Sequence, residues 1–260
     1  MRRLQFGQRV PGRPVLQVLW YDLGEMLSRL VLRVLYRFRI EGEELVPQSG
    51  PALYVSNHQS FLDPVINGCA VVDRQLTAIA REGLFRFPPL AWMMRSYGVI
   101  SIKEDGHDAT AIRAALAELA AGRCVLIYPE GSRSHDATVL PFQRGISLLI
   151  RRAKVPVVPM AIEGACDVWP RSRRLPGLRG RLAVKVGTPI AADDLLAGGP
   201  DAAIERLRHE IDDLRLQLRE RIRRESGGRW PSAGPADHPL PRSGDDAAHA
   251  KTRRPKGVHG

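Results

Sequence analysis

Residues 57–64 read NHQSFLDP, a polar insert between two apolar runs, ALYVS at 52–56 and VINGCAVV at 65–72. Runs of that kind belong in a core, so the insert marks a loop at a strand end, where the chemistry of an α/β sheet collects. Pro64 disfavours helix at Asp63 and suits the first helical position itself. The stretch therefore predicts that Asp63 caps a helix over 64–72, and the two side chains can meet if His58 ends the preceding strand. Their spacing fits no single helical face. Two readings stay open. In one, Asp63 only caps a helix and His58 is an ordinary loop residue. In the other, the carboxylate fixes the tautomer of the imidazole and leaves its second nitrogen free to take a proton from an external hydroxyl.

Outward from this loop, short apolar runs alternate with helical patterns. Strands are predicted at ALYVS (52–56), LTAIAR (76–81), GVISI (98–102), RCVLIYP (123–129), VPVVPMAI (155–162) and RLAVKVG (181–187). Helices are predicted near 64–72, 88–96, 107–121 and 144–153, the third ending at Gly122 as a natural C-cap. The fold class is therefore α/β, with a mostly parallel central sheet covered by helices on both faces.

A second polar loop follows the strand at 123–129: YPEGSRSHD, residues 128–136. Pro129 and Gly131 shape a turn whose backbone amides can face an anion. Arg133 offers a planar fork suited to phosphate oxygens. Glu130 and Arg133 are equally readable as a structural ion pair. Arg144 and Gly145 open the next helix, where an arginine is most simply a solvated side chain.

The flanks differ in character. Residues 15–38 carry Leu16, Leu19, Trp20, Leu23, Leu27, Leu30, Val31, Val34, Leu35 and Phe38 at helical spacing, with Asp22, Glu25, Arg29, Arg33 and Arg37 on the other face. So many charges argue against a spanning helix. A helix lying in a membrane interface fits, with its arginines among anionic headgroups and Trp20, Tyr21 and Tyr36 at the boundary; packing on its own domain is the competing reading. Residues 201–225 form a long charged helix with an apolar seam from Ile204 to Ile222. From Ser226 the chain turns to Gly, Pro, Ser and charge without periodicity, which predicts disorder. The organisation expected is thus 1–39 basic N-terminus and membrane-associating helix, 40–225 main domain, and 226–260 disordered basic tail.

The 260 residues carry a net charge of +11, which favours anionic partners. No aromatic–basic platform accompanies that charge, so nucleic acid is not expected. No metal-ligand cluster or Gly-rich nucleotide motif is present, so no bound cofactor is expected either. Cys69, Cys124 and Cys166 form no CxxC pair, lie in apolar surroundings and fit inert thiols in a reducing compartment.

Taken together, four blocks in order resemble the glycerolipid acyltransferases, typified by bacterial 1-acylglycerol-3-phosphate acyltransferase. They are NHQSFLD, GVISIKE (98–104), YPEGSRS and VPVVPMAI, joined by REGLF (81–85) and LPFQRG (140–145), over roughly residues 40–190. The resemblance implies a catalytic dyad of His58 and Asp63. It implies an acceptor-phosphate site at Glu130, Gly131, Ser132 and Arg133, helped by Arg81. It also implies acyl-CoA or acyl carrier protein as donor substrate, a lysophospholipid acceptor, and a peripheral place on the cytoplasmic face of a membrane. The second block departs from the pattern, with Glu104 where the family has an arginine and Lys103 one position earlier, which leaves the acceptor headgroup open. A thioesterase-like enzyme, and a non-catalytic protein of anionic membranes, remain the alternatives.

Overall fold

Apolar runs too short for helices and rich in β-branched residues pair side by side into one seven-stranded sheet. The computed structural model describes residues 11–71, 74–102 and 108–242. Its strands are β1 (Arg39–Glu41), β2 (Leu53–Ser56), β3 (Leu76–Arg81), β4 (Ile100–Ile102), β5 (Cys124–Ile127), β6 (Val157–Glu163) and β7 (Ala183–Val186). Their spatial order is β1-β7-β6-β2-β5-β3-β4, with every pairing parallel except β6 against β7. The mostly parallel sheet expected from the sequence is therefore present. β1 is a strand the sequence reading did not contain, too short to show a period.

The helices are α1 (Val15–Tyr36), α2 (Asp63–Ala70), α3 (Pro88–Ser96), α4 (Asp108–Ala120), α5 (Gly145–Ala153), α6 (Ala165–Val168), α7 (Ala192–Leu196) and α8 (Pro200–Ser226). Alternation along the central strands splits the core in two. Leu53, Val55 and Val125 face a cluster with α4, α5 and α8, whereas Tyr54 and Leu126 face α2 and the end of α1. Covered on both sides, β2 and β6 are buried along their whole length. Gly122 ends the α4 segment at φ +79, as a C-terminal glycine should.

α1 is amphipathic in an inverted sense. Val18, Leu32 and Tyr36 are its buried residues, and Glu25 and Arg29 also turn inward. Arg29 pairs with Glu25 and Glu43 and donates to the Cys69 carbonyl, so a charged edge of α1 clamps α2. Leu16, Leu19, Leu23, Leu27, Leu30 and Val34 face outward, each at least 43% exposed. Trp20 extends this apolar face to Trp92 of α3, ring centroids 5.9 Å apart. Two of the expected boundary aromatics are not on it. The Tyr21 ring lies inward against Tyr97, and the Tyr36 hydroxyl donates to the Gly177 carbonyl. No described helix is long and apolar enough to cross a membrane.

The other correction concerns residues after Ser226. Instead of leaving the domain, residues 226–242 fold back along α8. Asp237 accepts from Arg219 at 2.6 Å and pairs with Arg223 at 2.7 Å, the Ala236 carbonyl accepts from Arg215, and the Leu240 amide donates to Asp212. Glu163 at the end of β6 completes this buried network with Arg219 and Arg215. Composition without periodicity suggested disorder, but the buried guanidinium groups of α8 supply the partners that order this stretch. Residues 1–10, Lys103, Glu104 and the remainder of the tail, 243–260, lie outside the described residues.

Candidate active site

Parallel pairing of β2 with β5 and β6 brings their carboxyl ends together, so the loops that begin at Asn57 and Tyr128 lie side by side. Asn57 fixes the first loop. Its side-chain amide donates to the Ile162 carbonyl at 3.0 Å and its oxygen accepts from the Ile162 amide at 2.8 Å. Gln59 reaches the Ala137 carbonyl and the Cys166 amide, and Ser60 donates to the Trp169 carbonyl. Buried polar side chains thus spend their hydrogen bonds on backbone, which holds a loop rigid without regular structure.

The chain then turns so that Asp63 points back at His58. Asp63 Oδ2 accepts from the amides of Gln59 (2.5 Å) and Ser60 (2.7 Å) and lies 2.8 Å from His58 Nδ1. An oxygen that already accepts two backbone donors makes Nδ1 the donor of the third bond, which fixes the tautomer. Asp63 is fully buried and opens α2 from inside the helix rather than capping it. Its carboxylate serves the loop before the helix, not the amides that follow. His58 Nε2 has no hydrogen-bond partner among the described residues, and the side chain is 21% exposed. The imidazole stacks on Tyr128, centroids 4.2 Å apart and 16° from parallel. Burial, and then the Asp63 charge, push the Tyr128 hydroxyl well above its ordinary pKa, so the ring is a neutral backing plate held by Asn67.

The second loop divides its labour in a way the sequence left open. Glu130 does not pair with Arg133 and does not face the site as an anion-binding group. Its two oxygens accept from the His58 amide (2.8 Å) and the Leu140 amide (3.2 Å). Burial raises its pKa to about 8, against the opposing pull of those two amides. The Ser134 amide returns a bond to the His58 carbonyl at 2.7 Å, so the second loop grips the backbone of His58 from both sides. Gly131 makes the turn at φ +68, in the left-handed region that a side chain disfavours. Ser132 is exposed beside it.

Arg133 lies over the Phe61 ring, 3.6 Å from guanidinium carbon to centroid. An aromatic face holds a cation without consuming its N–H donors. Arg133 Nη1 is buried and has no hydrogen-bond partner. Burial first, and the nearby Arg171 second, lower its pKa, while Asp63 pulls the other way. Arg171 in turn contacts His135 Nε2 at 3.4 Å. The site therefore pairs a histidine ready to accept a proton with a positively charged wall that has unspent donors. The backbone of Arg81 closes β3; its side chain lies outside the described residues. Arg144 is exposed at the start of α5, as expected of a solvated helix-start residue.

Phe61, Tyr128, Asn67 and Arg171 were missed by sequence reasoning. Phe61 lies within the first polar loop and Tyr128 opens the second, and an aromatic beside a polar strand end was the available signal. Arg171 had none, because it arrives from a loop beyond β6. All three cysteines are free, and burial raises Cys69 to about 12 and Cys166 to about 11, so neither is a nucleophile near neutrality. Among the described residues no group of His, Cys, Asp and Glu is placed to hold a metal.

A family model described as Acyltransferase matches residues 37–163, which contain both loops. The chain is 31% identical over 193 residues to the mouse (Mus musculus) 1-acyl-sn-glycerol-3-phosphate acyltransferase alpha, covering 71% of this chain and 67% of that one. It is 30% identical over 151 residues to the chloroplastic 1-acyl-sn-glycerol-3-phosphate acyltransferase BAT2 of Brassica napus, covering 57% of this chain but only 43% of the relative. The chain thus spans less than half of that plant protein. The crystal structure of the 1-acyl-sn-glycerophosphate acyltransferase PlsC of Thermotoga maritima superimposes with a TM-score of 0.64 over 83% of both chains, at 22% identity, which establishes the shared fold.

Proposed function

The chain belongs to the glycerolipid acyltransferase family, and on that premise we propose that it esterifies the free hydroxyl of a 1-acyl-sn-glycerol-3-phosphate with a fatty acyl group, giving phosphatidic acid. The acyl donor is acyl-CoA or acyl carrier protein. One observation carries the reading: His58 Nδ1 sits 2.8 Å from a buried carboxylate while Nε2 stays unbonded, with a cationic wall nearby.

His58 Nε2 takes the proton as the acceptor hydroxyl attacks the thioester carbonyl. The resulting imidazolium is stabilised by Asp63 and then returns the proton to the departing thiolate. Arg133 and Arg171 bind the phosphate of the acceptor and so convert its affinity into orientation. Gly131 and Ser132 shape the turn that presents Arg133, and Arg81 at the end of β3 is assigned to the same phosphate. Glu130 positions the backbone of His58 and touches no substrate. The protein needs no cofactor, since the donor enters as a substrate.

Docking follows from α1. Its outward apolar face inserts at the interface of a membrane and brings lysolipid to the site. Three unpaired thiols suit the reducing, cytoplasmic side. The test is transfer of a labelled acyl group from acyl-CoA and from acyl carrier protein to lysophosphatidic acid, with other lysolipids in parallel. Phosphatidic acid formation that vanishes in His58→Ala is expected. Thiol release without acylated lipid would identify a thioesterase and overturn the acceptor. No reaction with any donor would leave only the membrane-binding reading.

A further inference from the structure

Between β6 and β7 the chain makes an excursion, Trp169 to Gly180, whose sequence is WPRSRRLPGLRG. Arg173, Arg174 and Arg179 are exposed, and no carboxylate pairs with them among the described residues. Leu175 and Leu178 stand between them at 77% and 80% exposure, more open than all but one of the outward residues of α1. Such leucines on a loose loop would be unremarkable, but this loop is built. The Gly177 amide donates to the Val168 carbonyl at 2.7 Å, Trp169 Nε1 to the Arg173 carbonyl at 3.1 Å, and the Tyr36 hydroxyl to the Gly177 carbonyl at 2.9 Å. The chain spends hydrogen bonds to present two leucines to solvent.

We infer that this loop is a second membrane contact, which reads the negative charge of the lipid surface. Two features decide the occupant. Arginines with leucines between them match a headgroup layer, where guanidinium groups meet phosphates and short apolar side chains reach below. The loop also continues the face already assigned to lipid: Val34 and Leu35 at the end of α1 share a groove with Leu178 and Arg179. On its other side Trp169 packs on Phe61, centroids 5.4 Å apart, and Phe61 carries Arg133. The loop therefore joins the docking helix to the phosphate wall. α1 supplies the apolar adhesion, with only its exposed Arg33 and Arg37 to favour anionic lipids, and the loop adds three arginines to that preference.

The inference rests on the docking of α1, and the experiment separates the two. The full chain is sedimented with vesicles of phosphatidylcholine alone and with one third phosphatidylglycerol. Replacing Arg173, Arg174 and Arg179 together by Gln should weaken binding to the anionic vesicles by about fivefold per arginine, on the order of a hundredfold in all, and leave neutral vesicles unaffected. Leu23→Ser with Leu27→Ser should weaken both; no effect there sinks α1 docking and leaves the loop standing. Unchanged anionic binding by the arginine variant overturns the inference, as does equal loss on both vesicles. Leu178→Cys carrying an environment-sensitive dye, in a Cys166→Ser background, gives an independent reading in an otherwise native loop. A blue shift with anionic vesicles is expected, and no shift overturns the inference. If the arginine variant keeps vesicle binding but needs more acyl carrier protein, the loop docks that acidic protein instead, and the lipid assignment is wrong.

Discussion

Two sets of arginines divide this protein. Arg215 and Arg219 of α8 lie buried and fully engaged, with Glu163, Asp212 and Asp237 within 3.5 Å or less. Arg133 rests on an aromatic ring with Nη1 unpaired, and the arginines of the 169–180 excursion face outward without carboxylates. The same side chain does structural work where it is given anions and is left for a ligand where it is denied them. Asp237 shows the first kind from the other side: despite its burial penalty, Arg219 and Arg223 hold it well below the usual carboxylate range. Arg133 Nη1 is left unpaired on Phe61, a residue of the His58 loop, and that position beside the imidazole is where an outside anion is expected.

Mutation can break this contrast or sharpen it. His58→Ala should lower turnover by about 10²–10⁴-fold, the usual contribution of a general base, with the urea unfolding midpoint unchanged. Retained acyl transfer would end the dyad mechanism. Arg219→Met should cost about 3–5 kcal/mol of stability, because Glu163 and Asp237 lose a buried partner. That loss is read in denaturant unfolding, with acceptor KM in the surviving folded protein left as it was. Arg133→Ala should do the reverse. Stability should stay within error while acceptor KM rises roughly 10- to 100-fold, the worth of about 1.5–3 kcal/mol for bonds to a charged group. Arg133→Lys should recover only part of this, since an ammonium lacks the fork. Equal behaviour of Arg133 and Arg219 variants would erase the distinction.

The smallest effect is expected at Glu130. Its folded pKa, about 8, lies above its ordinary value of 4.5, so the native chain binds the extra proton between those values. Its contribution to stability is complete below pH 4.5 and falls as pH rises toward 8. Glu130→Gln should remove that slope: it costs about 1 kcal/mol below pH 4.5, because one of the two amides loses its acceptor, and the deficit closes and then reverses as pH rises toward 8. Unfolding curves collected across this range check it. A slope that survives in the variant belongs to another group.

What the sequence made legible follows from local signals. Pro64 and the polar insert made a contact between His58 and Asp63 possible, the resemblance to the acyltransferases singled it out, and β3 and α3 lie within the bounds predicted for them. The orientation of Glu130 was not legible, since it depends on amides of His58 and Leu140 brought near by the sheet. The period of α1 defined its apolar stripe but not which side faces the domain. That choice was made by Arg29, whose partners Glu43 and the Cys69 carbonyl are remote in sequence. Residues 226–242 were misread for the same reason, as their order comes from arginines one turn after another on α8 rather than from their own composition.

The clamp between α1 and α2 has a geometric outcome. Asp63 opens the helix that Arg29 grips, so the helix with the greasy outer side is tied to the one whose first residue holds the His58 ring. On the proposed docking of α1 to a bilayer, the free nitrogen of His58 would sit at a set height above the acyl chains. Hydroxyls on a glycerol backbone lie at different depths, and a base at constant altitude meets one of them. Positional selectivity in such an arrangement is a matter of elevation as much as of pocket shape.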